Sequence, residues 1–275
     1  MHHGVKYCRS RESLRKNLSH GAMRSNRMQR ILAAIIGICW LVAAVPANSA
    51  ELQVLSAGAM EPGLEVAAQA FRRASGQAVV LRYATAPGLQ RALAEGEPPH
   101  LLIGPHSLME ALAQAGRVTG RPTPLGRVGV GIAVRPGLSI QPVLDAEGLR
   151  ALVTQAQSLV YNRAPTGLYV DRLFSRLGLS MVVAPKARRY ATGAEVMAHL
   201  LQGTGQEIGF GAITEIRMVR ELRYLGPLPP ELQSYTTYSG ALTPDAPVTA
   251  EALLRWLTGP EARSAFDATG IESVQ

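Results

Sequence analysis

Cysteine and histidine are scarce in this chain of 275 residues, which narrows the chemistry that it can support. Both cysteines, Cys8 and Cys39, lie within the first 50 residues, so the sequence predicts no disulfide in residues 51–275. Three histidines follow residue 50, namely His100, His106 and His199. None of them has a metal-binding spacing such as HExxH, and we therefore expect neither a metal site nor a cofactor.

Motifs of nucleophilic and phosphate-binding enzymes are also missing. The chain has no GxSxG elbow and no Walker A loop, and the GFG at residues 209–211 is too short for a dinucleotide-binding fingerprint. No set of acid, base and nucleophile stands out in the rest of the sequence. The sequence therefore predicts a chain that is not an enzyme and has no catalytic residues.

Acidic residues are almost absent from the first 50 residues, which hold eight of the 28 Lys and Arg but only Glu12 of the 20 acids. That segment carries a charge of +7 and the rest of the chain only +1, so the high net charge indicates no nucleic-acid partner. Its apolar run, residues 31–45, follows three arginines and is shorter than the ~20 residues of a membrane span. We predict a secretory signal peptide within residues 1–50, cleaved between Ala47 and Ala50, and export to the periplasm.

Short apolar runs alternate with helical stripes beyond residue 50, which is the pattern of an α/β fold with parallel strands. The first stripe predicts a helix whose buried face comprises Leu64, Ala67, Ala68 and Phe71. A second stripe comprises Leu108, Ala111, Leu112 and Ala115. Residues 127–135 are predicted to be a strand that crosses between two lobes, although an ordinary strand with tolerated glycines fits equally well. A return crossing is predicted between Gly226 and Gly240.

Three loops of small residues follow predicted strands, at residues 56–63, 83–88 and 161–167. In an open α/β sheet such loops gather at the carboxyl ends of the strands, where backbone N–H groups and helix dipoles face a ligand. A tight turn explains one such loop more readily than three, so we predict a ligand site there. The candidate ligand-binding residues are Gly58, Ala59, Met60, Thr85, Ala86, Arg163, Thr166, Gly167, Gly211 and Thr214.

Several of these side chains have a second interpretation. Arg163 suits a carboxylate or phosphate beside a helix start, yet the role of a solvated loop arginine fits it equally well. Ser56 and Thr85 are as well suited to capping turns, and Met60 to the core. Glu215, at a predicted helix start, is expected to serve the helix dipole rather than the ligand.

Seven stretches in order along the chain resemble the type 2 periplasmic binding proteins, specifically the molybdate-binding-protein-like branch of ABC importers. They are VLSAGAMEPGLEVAAQAFRRASGQAV, RALAEGEPPHLLI, PLGRVGVGIAVRPG, DRLFSRLGL, GQEIGFGAITEI, GPLPPELQSYTTYSGAL and LLRWLTGPEARSAFDATGIE. The resemblance implies a two-lobed periplasmic binding protein type 2 fold with two interlobe crossing strands. Lobe 1 is predicted to hold residues 51–130 and 233–275, and lobe 2 residues 131–232, with hinge closure over the ligand.

One departure from that family bears on the ligand. Molybdate binders of the family use a serine in the first loop and another in the second to donate hydrogen bonds to the oxyanion. The matching positions here are Ala59 and Ala86. Losing two hydrogen bonds to a charged group costs on the order of 3–6 kcal/mol, so we expect a small anion other than molybdate, such as an organic carboxylate.

These features together predict a monomeric receptor that captures a small, anionic solute and delivers it to an inner-membrane ABC permease. A periplasmic sensor that presents its closed form to a signalling partner would use the same cleft. The sequence does not separate these two functions.

Overall fold

The computed structural model of the chain describes residues 51–95 and 99–274. The predicted signal peptide and its cleavage site lie outside the described residues. Within those two ranges, no helix is long and apolar enough to span a membrane.

Nine β-strands join into one sheet within the described residues. In chain order they are β1 (Leu52–Ala57), β2 (Val79–Ala84), β3 (Leu101–Pro105), β4 (Thr119–Val134), β5 (Ser158–Asn162), β6 (Ala187–Tyr190), β7 (Glu207–Ala212), β8 (Arg223–Pro227) and β9 (Tyr235–Leu242). They lie in the order β2-β1-β3-β9-β4-β7-β5-β6, and β8 pairs with β4. β1 is parallel to β2 and β3, and β5 is parallel to β6 and β7, so each half of the sheet has the arrangement that βα units produce.

Helices connect most of these strands. They are α1 (Glu61–Ser75), α2 (Ala86–Glu95), α3 (His106–Gln114), α4 (Ala146–Gln155), α5 (Pro165–Arg176), α6 (Ser180–Val183), α7 (Gly193–Gln202), α8 (Ile213–Met218), α9 (Val248–Leu257) and α10 (Pro260–Thr269). Two short 3₁₀ turns occupy Gly58–Met60 and Pro230–Leu232. The predicted α/β fold is therefore confirmed.

The two helical stripes that the sequence predicts have different outcomes. The α1 stripe is confirmed, since all four of its apolar residues are buried. The α3 stripe is wrong by one position, because Met109 is fully buried while Ala111 and Ala115 are exposed. The longer methionine side chain removes more apolar surface from water than an alanine does, so the helix turns that side toward the sheet.

β4 is the long strand that connects the two halves of the sheet. Its 16 residues pair with β9 as far as Gly129, and residues 130–134 pair with β7. Just past this change, the side-chain amide of Gln233 accepts the Val130 N–H at 2.8 Å and donates to the Val130 carbonyl at 3.0 Å. The strand predicted at residues 127–135 is thus part of a longer one that takes part in both halves.

The buried apolar residues form two large clusters and a smaller one. Within β4, Val128 belongs to the first large cluster and Val130 to the second. Further along the chain, Leu232 belongs to the second cluster and Tyr238 again to the first. Ala133 belongs to the small cluster, on the opposite face of the second half of the sheet, as alternation along a strand requires. The lobe boundaries stay a prediction, which this division of the core supports.

Candidate functional site

A cavity of about 280 Å³ lies where the carboxyl ends of strands from both predicted lobes meet. The residues that end these strands and line the cavity are Ala57, Ala84, Pro105, Asn162 and Ala212. A volume of this order lies at the lower end of the range of small-molecule pockets, which enclose about 300–1,000 Å³.

Helix starts surround this cavity. The first residues of α1, α2, α5 and α7 line it, namely Glu61, Ala86, Pro165 and Gly193, and α8 begins directly after Ala212. Helix N-termini carry partial positive charge and N–H groups that lack an intrahelical acceptor. The surroundings of the cavity therefore favour negatively charged groups, without a cationic side chain being needed.

The wall from predicted lobe 1 includes a turn of small residues whose backbone lies at the cavity. Gly58 and Ala59 form the 3₁₀ turn before α1, and Met60, which precedes α1, caps it with no side-chain hydrogen bond to the described residues. The buried Thr214 hydroxyl donates to the Ala59 carbonyl at 2.8 Å. This bond fixes the turn against α8, so the N–H groups of the turn keep a constant position at the cavity.

The wall from predicted lobe 2 caps its own helices. The Asn162 side-chain oxygen accepts the N–H groups of Ala164 and Gly167, each at 3.1 Å. At the start of α7, Thr192 and Glu195 form the capping box that their spacing predicts. Part of the N–H groups on this side are therefore already satisfied by side chains of the chain itself.

Glu215 is the group with the most unusual environment in the cavity. It is the third residue of α8, and its carboxylate accepts the N–H of Ala212, the residue before that helix. The pKa of Glu215 is raised to about 7, mainly by burial; the Ala212 hydrogen bond opposes this rise, and the nearby Glu61 carboxylate adds to it. Glu215 therefore exchanges a proton near neutral pH, as a catalytic acid or base must.

Two glycines allow the Glu215 carboxylate to lie where it does. A Cβ atom built on Gly193 would overlap both carboxylate oxygens, and one built on Gly58 would lie 3.5 Å from Oε1. The carboxylate thus lies against the start of α7 on one side and the 3₁₀ turn on the other. This close enclosure is the physical cause of the raised pKa, because it removes water that would solvate the charged form.

A second carboxyl and two tyrosines complete the polar lining. Burial raises the pKa of Glu61, with Glu65 adding to the effect. Tyr238 is buried, and its pKa is raised by that burial and by the negative charge of Glu215, which lines the same cavity. Tyr83 donates its hydroxyl to Glu65 at 3.0 Å. Among the described residues that line the cavity there is no Lys, Arg or His, and Glu61 and Glu215 are its two acids.

Five of the ten predicted site residues line this cavity: Gly58, Ala59, Thr85, Ala86 and Thr166. These five follow strand ends that converge at the cavity, as the fold topology predicts, and their role in binding a ligand stays a prediction. Thr85 also takes the turn-capping role that was its alternative, since its Oγ1 accepts the Gly88 N–H at 3.4 Å.

Four other predicted residues are buried next to residues that line the cavity, but do not line it themselves. Met60 is fully buried in the first core cluster, so its core interpretation holds. Thr214 turns its hydroxyl to Ala59 and away from the cavity. Gly167 is packed on the backbone of Asn162, where a Cβ would overlap the carbonyl, and Gly211 lies buried within β7 against Met197. Their size and hydrogen bonding shape the site, and they do not line it.

Arg163 is the predicted residue that departs furthest from expectation. It is exposed, does not line the cavity, and its backbone N–H is bonded to the Tyr190 carbonyl at 2.8 Å. Its charge acts on the exposed Glu195, whose pKa is lowered mainly by hydrogen bonds from Thr192 and partly by Arg163. The solvated-arginine interpretation therefore describes this structure, because the strand end directs the side chain outward.

Sequence reasoning missed Glu61 and Tyr238 as lining residues and assigned Glu215 to the helix dipole alone. Glu215 does serve its helix start, by accepting the Ala212 N–H. Its second property, a raised pKa, depends on Gly58 and Gly193, which are distant in sequence. The signal available in the sequence was a glutamate close to the start of a short predicted helix.

Solved structures with the same fold include binding proteins for oxyanions and for thiamin. The periplasmic molybdate-binding protein of Azotobacter vinelandii is 19% identical with a TM-score of 0.69, covering 82% of this chain and 100% of that one. The sulfate-binding protein SubI of Mycobacterium tuberculosis is 17% identical with a TM-score of 0.63, covering 82% of this chain and 87% of that one. The predicted two-lobed type 2 fold is confirmed by these likenesses.

A sequence relative of this chain is an enzyme. An aconitate isomerase from a Pseudomonas species is 29% identical over 245 residues, which are 85% of this chain and 91% of the relative. The prediction that the chain is not an enzyme is wrong in the light of this relative. It relied on missing motifs, but proton transfer needs only an acid and a base beside the substrate, and these have no characteristic spacing.

The family itself is shown by a match that covers most of the described chain. Residues 52–272 match the family described as bacterial extracellular solute-binding protein. The matched range includes every strand and helix described above. The chain therefore belongs to the bacterial extracellular solute-binding proteins.

Proposed function

We propose that this protein isomerises a small unsaturated polycarboxylic acid of the aconitate class in the cavity. The observation that carries the proposal is the pair of carboxyls, Glu61 and Glu215, that face one cavity surrounded by helix N-termini. The aconitate isomerase relative supplies the substrate class. The cavity volume of about 280 Å³ suits a ligand of that size.

Binding of the substrate carboxylates is assigned to backbone N–H groups. The 3₁₀ turn at Gly58 and Ala59 and the start of α2 at Ala86 offer such groups on the lobe 1 side. Hydrogen bonds to a charged group contribute about 1.5–3 kcal/mol each, so a few of them suffice to hold a small organic anion.

The two carboxyls differ in environment, and this difference assigns their roles. Burial keeps the pKa of Glu215 near 7, so a large fraction carries a proton at neutral pH. Glu61 is less enclosed than Glu215, and burial together with the Glu65 carboxylate raises its pKa from the ordinary value of 4.5. We therefore assign the role of acid to the more enclosed Glu215 and the role of base to Glu61. A pair of carboxyls with separated pKa values is the arrangement of a general acid beside a general base.

The reaction is a proton shift across an allylic system. Glu61 removes a proton from the CH₂ group next to the double bond, and the C–H electron pair forms the new C=C bond. The former π electrons take the proton of Glu215 at the far alkene carbon. Substrate and product have the same composition, and transfer of the proton from Glu61 back to Glu215 through water restores the starting state.

Turnover is tested by incubating the purified protein with cis-aconitate and following cis and trans isomers by proton NMR. We expect interconversion, and a loss of kcat of about 10²–10⁴-fold in Glu215→Gln, as is typical when a general acid is removed. Since the protonated form of Glu215 is the active one, kcat/KM should fall as pH rises through about 7.

The control is Glu221→Gln, which removes an exposed acid from the turn after α8 and should leave turnover unchanged. Glutamine at position 215 keeps an oxygen that can accept the Ala212 N–H, so the variant should fold, and its melting temperature checks this. Absence of interconversion in the parent protein, or full activity in Glu215→Gln, contradicts the proposal.

A receptor role is the second candidate, favoured by the family match. In this role the exported protein would bind the same acid in the periplasm and deliver it to an ABC permease; the sensor alternative would use the same closed form. Both predict tight binding without turnover. The NMR experiment separates them from the isomerase, since a receptor leaves the ratio of cis to trans isomers unchanged while the ligand raises its melting temperature.

A further inference from the structure

The charged side chains that line the cavity are acids, although its helix starts favour an anion. Among the described lining residues, Glu61 and Glu215 carry the ionisable carboxyls, and cationic side chains are absent. Two ionised carboxylates beside a polycarboxylate ligand would repel it strongly, because a cavity that excludes water screens charge weakly. The charge has to be lowered when such a ligand binds.

Glu215 is the group that can lower it. Its carboxylate lies between Gly58 and Gly193, with no room for a Cβ on the Gly193 side. The ionisable groups that share the cavity with it are Glu61 of α1, Tyr83 of β2 and Tyr238 of β9, and none of them is a cation that would balance its negative charge. On α7, Glu195 is exposed and caps its own helix, and on α8, Arg217 lies against Gly270.

We propose that the ligand and one proton enter the cavity together, the proton being held on Glu215 between Gly58 and Gly193. This inference rests on the proposed polycarboxylate ligand. A ligand carboxylate takes the place of cavity water and adds negative charge beside Glu215, and both effects favour the protonated carboxyl further. Above neutral pH the site therefore binds the acid as a ligand anion plus a proton.

Proton uptake makes the affinity depend on pH. Above pH 7 the free protein has lost the Glu215 proton and must recover it to bind, so the Kd should rise about tenfold per pH unit. The ligand's own carboxyls are ionised throughout this range and add no such slope.

The experiment uses tricarballylate, a saturated tricarboxylate that cannot undergo the double-bond shift. Isothermal titration of the full chain at pH 8, in buffers of different ionisation enthalpy, gives the number of protons taken up per ligand. We expect about one proton for the parent protein and about zero for Glu215→Gln. The Kd of Glu215→Gln should be nearly constant between pH 7.5 and 9, where that of the parent protein rises more than tenfold.

Glu221→Gln is the matched control and should keep the uptake of about one proton. Binding of tricarballylate with no proton uptake by the parent protein overturns this inference while the polycarboxylate site stands. Uptake that persists in Glu215→Gln overturns the assignment to Glu215. Absence of binding by tricarballylate and both aconitate isomers at every pH overturns the proposed function, and the inference with it.

Discussion

The helix starts on the two walls of the cavity differ in whether side chains accept their backbone N–H groups. On the lobe 2 wall, Asn162 satisfies two N–H groups at the start of α5, and Thr192 closes a capping box at the start of α7. On the lobe 1 wall, the turn at Gly58 leads into α1, which the described residues cap with no side chain. Among these three helix starts, that of α1 is therefore the one whose N–H groups no capping side chain accepts.

This difference indicates a division of work between the walls. The lobe 1 wall offers fixed backbone donors for a ligand anion, held in place by the Thr214 bond to Ala59. The lobe 2 wall, with its satisfied helix starts, is a rigid support that brings Glu215 against the ligand. Anion binding and the proton-donating acid are thus assigned to opposite sides of one cavity, while the proposed base, Glu61, lies on the lobe 1 side.

The largest effect is expected from Gly193→Ala. The added Cβ would overlap the Glu215 carboxylate and force it out of its enclosed position. Overpacking of this kind costs about 1–3 kcal/mol, and the displaced carboxyl can no longer reach the ligand, so turnover should fall at least as far as in Glu215→Gln. Aconitate turnover by NMR and thermal melting measure the two effects.

Gly58→Ala is the matched comparison on the opposite wall. Its Cβ would lie 3.5 Å from the same carboxylate, which is an ordinary contact, so turnover should fall far less. Equal losses in the two alanine variants would show that both walls enclose Glu215 to the same degree, against the division proposed here.

A smaller effect is expected from Thr214→Val. The variant leaves the buried Ala59 carbonyl without its hydroxyl donor, which should lower the free energy of unfolding by about 1–3 kcal/mol. The loosened turn should also weaken tricarballylate binding. Urea denaturation and isothermal titration measure these quantities.

Thr243→Val provides the control for that variant. The buried Thr243 hydroxyl donates to the Pro99 carbonyl at 2.6 Å, and neither residue lines the cavity. Thr243→Val therefore removes the same type of hydrogen bond outside the cavity lining. It should lower stability comparably and leave ligand affinity unchanged. Equal affinity losses in both variants would show that general loosening, not the turn at Ala59, weakens binding.

The sequence was sufficient for the fold because periodicity and strand ends are local signals. The buried stripe of α1 and the capping box of α7 follow from spacing alone, and both are found as expected. The predicted α3 stripe was wrong because Met109 packs against the sheet, while Ala111 and Ala115 of the predicted stripe are exposed. Such a choice depends on the space between helix and sheet, which spacing does not contain.

The site was predictable only in its backbone part. Converging strand ends identified Gly58, Ala59 and Ala86 beside the cavity, because topology brings such loops together. The altered chemistry of Glu215 arises when two loops from distant segments exclude water from it, and no local pattern records that. The same limit explains why the missing motifs led to the incorrect exclusion of enzymatic activity.

The smallest effect is expected from Arg163→Ala, which tests whether the division between the walls is complete. Arg163 is exposed outside the cavity, and an exposed charge contributes about 0–1 kcal/mol to an interaction with another charge. The rise in melting temperature that tricarballylate causes should therefore match that of the parent protein and of Arg172→Ala, which removes an exposed arginine from α5. If Arg163→Ala alone abolished the rise, the arginine would have to turn into the cavity when the ligand binds. The anion would then be held from the lobe 2 side as well, and backbone donors of the lobe 1 wall would no longer account for binding.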